Sequence, residues 1–203
     1  MALRLLPYKQ YSEKDVVNLF ALSSTSAGLA DPSVNGDNDN GVFVKVSAGD
    51  LNGDAISYIS NDYVGKQHAS PVGRNYLPTV PLKIAAATTG SQTLGITLNQ
   101  TLTRDENGQK VIHQPTKKAE LQAVTSGEAV PVATRGVFTI TADAVDGDLG
   151  VGDEFKISKS DVGKIGPVAS GLGSDPVLGT VLGTGSRKAG DGYAGNYYMI
   201  KLG

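Results

Sequence analysis

The second half of the chain constrains the fold most. From residue 80 onward, short segments alternate apolar and polar residues, and Gly-, Asp- or Pro-bearing turns cut them about every 8 to 15 residues. "VPLKIAA", "QTLGITLNQTLT", "KKAELQAVTSG", "AVPVATRGVFTITA", "DEFKIS", "PVLGTVLGT" and "NYYMIKL" follow one another in this way. A period of two places successive side chains on opposite faces of an extended strand. Many short strands joined by turns predict a mainly β fold, a small β-barrel or sandwich over residues 80–203. Composition agrees. The 203 residues include 26 Gly, close to double the usual ~7%, and no Trp or Cys.

Residues 1–30 read differently, as an extended arm carrying one short helix. Pro7 forbids a helix in the apolar opening "LRLLPYKQY". In "SEKDVVNLFAL", Ser12 is a candidate N-cap with Asp15 three residues on, and Val16, Leu19 and Phe20 share one helical face. This predicts a helix over 12–22, too short to be stable without docking. Leu3, Leu5, Leu6, Tyr8, Tyr11, Val16, Leu19 and Phe20 are the expected anchors, either on the chain's own domain or on a partner. A polar run reading as a tether follows, and residues 31–79 form an acidic hairpin and a long irregular loop.

The hairpin contains the stretch that most resembles chemistry. Asp50, Asn52 and Asp54 alternate like the first ligands of a calcium loop. The positions that would supply the loop glycine and the closing bidentate Glu are Ala55 and Asn61. Asn52-Gly53 is instead the dipeptide most favoured at a tight hairpin turn. The expectation is a turn, no resident metal and no cofactor.

Catalytic readings fail on their motifs. His68 and His113 have no nucleophile motif beside them, and neither a Gly-x-Ser-x-Gly elbow nor a zinc-binding His-Glu-x-x-His occurs. "GSRKAGD" spaces two glycines like a phosphate loop but carries Asp191 where the lysine belongs. Asp146 and Asp148 read as turn acids. No enzymatic activity is expected.

Net charge is −2, yet residues 31–62 hold six acids against one base and residues 63–120 seven bases against three acids. Neither block forms the basic stripe of a nucleic-acid binder. The apolar opening ends at Pro7, too early for a signal peptide, and no segment has the ~18 apolar residues of a membrane span. Neither nucleic acid nor membrane is expected as a partner.

The C-terminal third has a recognisable layout. Gly152-Asp153 leads a strand, Gly163-Lys164 leads another, Pro176-Val177-Leu178-Gly179 a third, and a last strand ends the chain. Over residues 120–203 this plan resembles the head decoration, or capsid cement, proteins of tailed bacteriophages. The opening "ALRLLPYKQYSEKDVVNLFAL" is similar to the start of virion structural proteins from tailed phages of marine cyanobacteria. The resemblance implies a structural protein on the outer surface of an icosahedral head, assembled in the host cytoplasm. Its partners would be the major capsid protein and itself, commonly as a homotrimer, and its role would be to stabilise the capsid lattice. The arm would then reach across capsomer boundaries. A calcium-dependent adhesion or carbohydrate-binding β-sandwich is the alternative.

Overall fold

In the computed structural model, residues 4–22, 40–49, 82–102, 105, 107–125, 128–170, 175–188 and 195–203 are described. The chain is mainly β, with two six-stranded sheets arranged like a sandwich and neither closed into a barrel. The first sheet contains β1 (Leu5–Gln10), β10 (Gly136–Thr141), β14 (Gly195–Leu202), β13 (Gly179–Arg187), β11 (Glu154–Ile157) and β12 (Ile165–Pro167), in that order and antiparallel throughout. The second runs β2 (Val16–Val17), β9 (Val132–Ala133), β6 (Gly95–Thr97), β4 (Phe43–Ala48), β5 (Lys83–Ala86) and β3 (Ala21–Leu22), with only the β3–β5 pair parallel.

Alternation builds the core. Phe138, Ile200 and Val181 stand opposite one another across β10, β14 and β13 and face inward. Phe43, Ile96, Ala133 and Val16 form the matching row across β4, β6, β9 and β2. The two rows share one hydrophobic core, where the Phe43 and Phe155 rings meet edge to face with centroids 6.3 Å apart. Val42, Val44, Ile84, Ala86 and Val132 point the other way into a second buried cluster.

Backbone bonds also join the sheets. The turn between β11 and β12 delivers the Gly163 carbonyl to the Phe43 amide at 3.1 Å and the Gly163 amide to the Ala87 carbonyl at 2.9 Å. Gly163 has φ +74°, and a Cβ there would lie 2.7 Å from a Val42 methyl. Only glycine meets both demands.

A satellite lies between β6 and β9 in the chain. β7 (Gln100–Leu102) and β8 (Ala123–Thr125) pair in parallel, α1 (Pro115–Glu120) lies between them in the chain, and Leu102, Val111 and Ala123 share a small core. In "KKAELQAVTSG", where a strand is expected, Ala123–Thr125 is strand, but Lys117–Glu120 is helical. Pro115 at its first turn is pre-set for the helix, and Lys117 and Lys118 lie near the negative end of the helix dipole.

Two further expectations are corrected. Residues 12–22 form no α-helix. Ser12 does cap, accepting the Lys14 amide at 3.3 Å, but only over a 3-10 turn, Glu13–Asp15. Val16 is already extended, at φ −106° and ψ 123°. The β-branched pair Val16–Val17 loses side-chain freedom in a helix and fits a pleated edge, where it pairs with β9. Nor is the start of the chain a separate arm. β1 is a strand of the first sheet, with Leu5 opposite Ile140, and strand pairing crosses the boundaries expected near 30 and 80.

Candidate interaction surface

The seven described anchor residues do not stay together. Leu5 and Leu6 are buried, Leu5 in the main core, and Val16 packs against the same core. Phe20 packs against the second cluster. Tyr11 is partly exposed and stacks on Phe138 at 5.9 Å. Tyr8 and Leu19 face outward, 60% and 61% exposed. Leu3 lies outside the described residues, as do Asp50, Asn52, Asp54, the second arm of the expected hairpin, the loop 61–79 and His68. The first arm of that hairpin is β4, which pairs with β5 and β6.

Of the residues weighed for chemistry, Asp146 has a structural partner. Asp146 accepts a hydrogen bond from the Ser158 hydroxyl, and that oxygen accepts the amides of Ser160 and Asp161, each at 3.0 Å. Lys164 pairs with Asp161 at 2.7 Å. Buried Asp175 accepts the Gly90 amide at 3.0 Å, tying the segment before β13 to the turn after β5. Gly185–Arg187 belong to β13, so "GSR" is strand rather than phosphate loop. Among the described residues, no group of three or more His, Asp or Glu could hold a metal ion. Among them, too, no helix is long and apolar enough to cross a membrane.

The motifs of the C-terminal third all sit where strands begin. Gly152 takes φ +88° in the turn before β11, and Asp153 closes that turn by accepting the Gly150 amide at 2.7 Å. Gly163 and Lys164 make the turn before β12. Leu178 packs against the core beside β13, while Pro176 and Val177 are exposed.

Sequence reasoning missed one exposed region. The β13–β14 hairpin is long, and β11 covers only its first residues, pairing with Gly179 and Thr180. Val181 is the last to bond outward, through the Asp153 carbonyl and the Gly152 amide. A bulge follows between Val181 and Gly183. Beyond it no strand pairs with this side of β13 among the described residues; Asp148 and Leu149 share a cavity lining with Thr184, Gly185 and Ser186, and Arg187 lies over the Tyr197 ring at 5.8 Å. Val151, 66% exposed, and Leu182, 45% exposed, flank the start of this edge. The signal was the adjacent pair Val181-Leu182. Two apolar neighbours in a strand cannot both face one core, so one is turned outward or a bulge intervenes.

No family model matches the chain, and neither does any curated protein or solved structure.

Proposed function

We propose that this chain is a structural virion protein that binds the outer surface of an icosahedral phage head and stabilises the lattice of the major capsid protein. One observation carries the reading. Each motif of the decoration-protein resemblance does local structural work at the start of a strand, and the three strands concerned share one sheet with the terminal strand. With Leu5 and Leu6 taken up by the chain's own fold, head binding falls to the outward residues Tyr8, Leu19 and part of Tyr11. Tyrosines suit such a role, since they bury large area at low entropic cost. A weak contact repeated over a shell gains avidity.

The test is co-sedimentation of the purified protein with phage heads stripped of it. The expected result is saturable binding that lowers head loss on heating, weakened several-fold by Tyr8→Ala with Leu19→Ala. A protein that does not bind heads, and whose melting midpoint rises with calcium and falls with chelator, would support the adhesion reading instead.

A further inference from the structure

Among the described residues, β13 is open beyond Val181, unlike the terminal strands of the two large sheets. β1, at one end of its sheet, contains Pro7 and a bulge between Leu5 and Lys9, and the Leu5 amide is taken by the Asn40 side chain at 3.2 Å. β12, at the other end, has three residues and ends on Pro167. β2 and β3, the edges of the second sheet, have two residues each. Short strands, prolines and bulges are how edges avoid pairing with other chains. From Leu182 to Arg187, β13 has no proline, and its far edge has no partner strand among the described residues. In an antiparallel ladder, alternate residues of such a strand aim their N–H and C=O groups outward.

We infer that this edge is a self-association site, at which β13 of a second copy adds antiparallel across a two-fold axis. Directly opposite residues in an antiparallel pair are of one kind, both bonded to each other or both not. β11 and the Asp153 segment already occupy the edge up to Val181, so the free stretch centres on Gly185. That register sets Thr184 against Ser186 of the second copy and Leu182 against Lys188.

Charge and apolarity both fit this occupant. Lys188 of each copy comes beside the Val151–Glu154 segment of the other, where Asp153 and Glu154 are exposed. Val151 and Leu182 are covered by the incoming strand, and the cations at one end of the edge meet the acids at its other end twice per dimer. Two-fold pairing uses the same edge on both copies, whereas a three-fold ring needs a second, different edge, and the terminal strands β1, β12, β2 and β3 are blunted. The contact is therefore two-fold rather than the trimer the resemblance implies, and it stands apart from the head-binding reading. A single added strand is a small interface, so the isolated dimer is weak.

The test is sedimentation equilibrium of the full chain over a concentration series. The parent is expected to dimerise. Lys188→Glu faces Glu154 in the second copy, and Glu154→Lys faces Lys188, so each variant alone raises Kd at least about tenfold. Mixing the two restores dimers, because every facing pair is then of opposite sign. The chain has no cysteine, which allows a second measurement on exposed positions. Oxidising a mixture of Thr184→Cys and Ser186→Cys should give the mixed disulfide in excess over either homodimer. A parent that stays monomeric to roughly 1 mM, a trimer, a mixture of the charge variants no tighter than either alone, or a statistical spread of disulfides would each overturn the proposal.

Discussion

The sheet built on β10 and β14 has one apolar face and one largely polar face, whereas the central strands of the sheet built on β4 bury apolar residues on both. Behind Phe138, Ile140 and Ile200, the first sheet presents Thr139, Thr141, Glu154, Lys156, Thr180 and Lys201. The second sheet has Phe43, Ile96 and Ala133 on one face and Val44, Ile84, Ala86 and Val132 on the other. A sheet with one apolar face is fixed in register by its alternation, because a slip of one residue would turn the whole apolar set outward. A sheet that is apolar on both faces loses that safeguard. Its register rests on shape, such as the ideal Cβ position of Gly95 falling 2.1 Å from the Ala133 carbonyl oxygen. It also rests on bonds from outside, such as the Thr97 hydroxyl accepting the Val42 amide at 3.0 Å.

The largest effect comes from taking away the edge of the first sheet. Deleting residues 1–10 removes β1 and leaves Ile140 without Leu5 opposite it. The truncated chain should lose its cooperative thermal transition. A truncated chain that melts at the parent's midpoint would mean that β1 is an accessory arm after all.

Next in size is Phe43→Ala. Phe43 is fully buried where the two sheets meet and touches Phe155. Emptying that position should cost about 3–5 kcal/mol in urea unfolding. Val44→Ala, one residue on and facing the other cluster, should still cost about 2 kcal/mol. If Val44→Ala were neutral, the second sheet would not be a two-faced layer.

The polar face of the first sheet predicts the opposite sign. The Thr139 and Thr141 hydroxyls are buried and have no hydrogen-bond partner among the described residues. Thr139→Val keeps the shape and removes an unsatisfied oxygen, so it should stabilise by about 1 kcal/mol. A destabilised Thr139→Val would show that the hydroxyl is satisfied.

These contrasts explain what the sequence made legible. The strands from β10 to β14 carry their own signals, in alternation and in the turn residues before each, so their type could be read locally. The fate of residues 4–22 could not. Nothing within "LRLLPYKQYSEKDVVNLFAL" says that Leu5 will meet Ile140 or that Val16 will meet Ala133, more than a hundred residues away. The 3.6-residue spacing of Val16, Leu19 and Phe20 was real, yet non-local pairing of two β-branched residues overrode it. The six-residue helix Pro115–Glu120 was too short for periodicity to declare itself, and Pro115 was the better clue. The exposed anchors Tyr8 and Leu19 were legible as residues but not as a surface, and the open edge of β13 depends on where β11 stops.

The smallest effect sits where the apolar face of the first sheet reaches its border. Lys9 lies opposite Phe138 on β1, and partial burial lowers its pKa below the ordinary 10.5. The unfolded chain keeps the proton up to about 10.5, whereas the folded chain releases it earlier. Between those two values the unfolded state binds more protons, so stability rises with pH across the window, and below it the full cost of burying the charge is present. Lys9→Met removes this contribution while keeping the length of the side chain. The variant should exceed the parent in stability most at pH 7, and its advantage should shrink as pH approaches about 10.5. Lys83, whose pKa burial also lowers, is common to both proteins and cancels. Urea midpoints of parent and variant at the two pH values measure the difference, and an equal gap at both would show that Lys9 is solvated in the folded state.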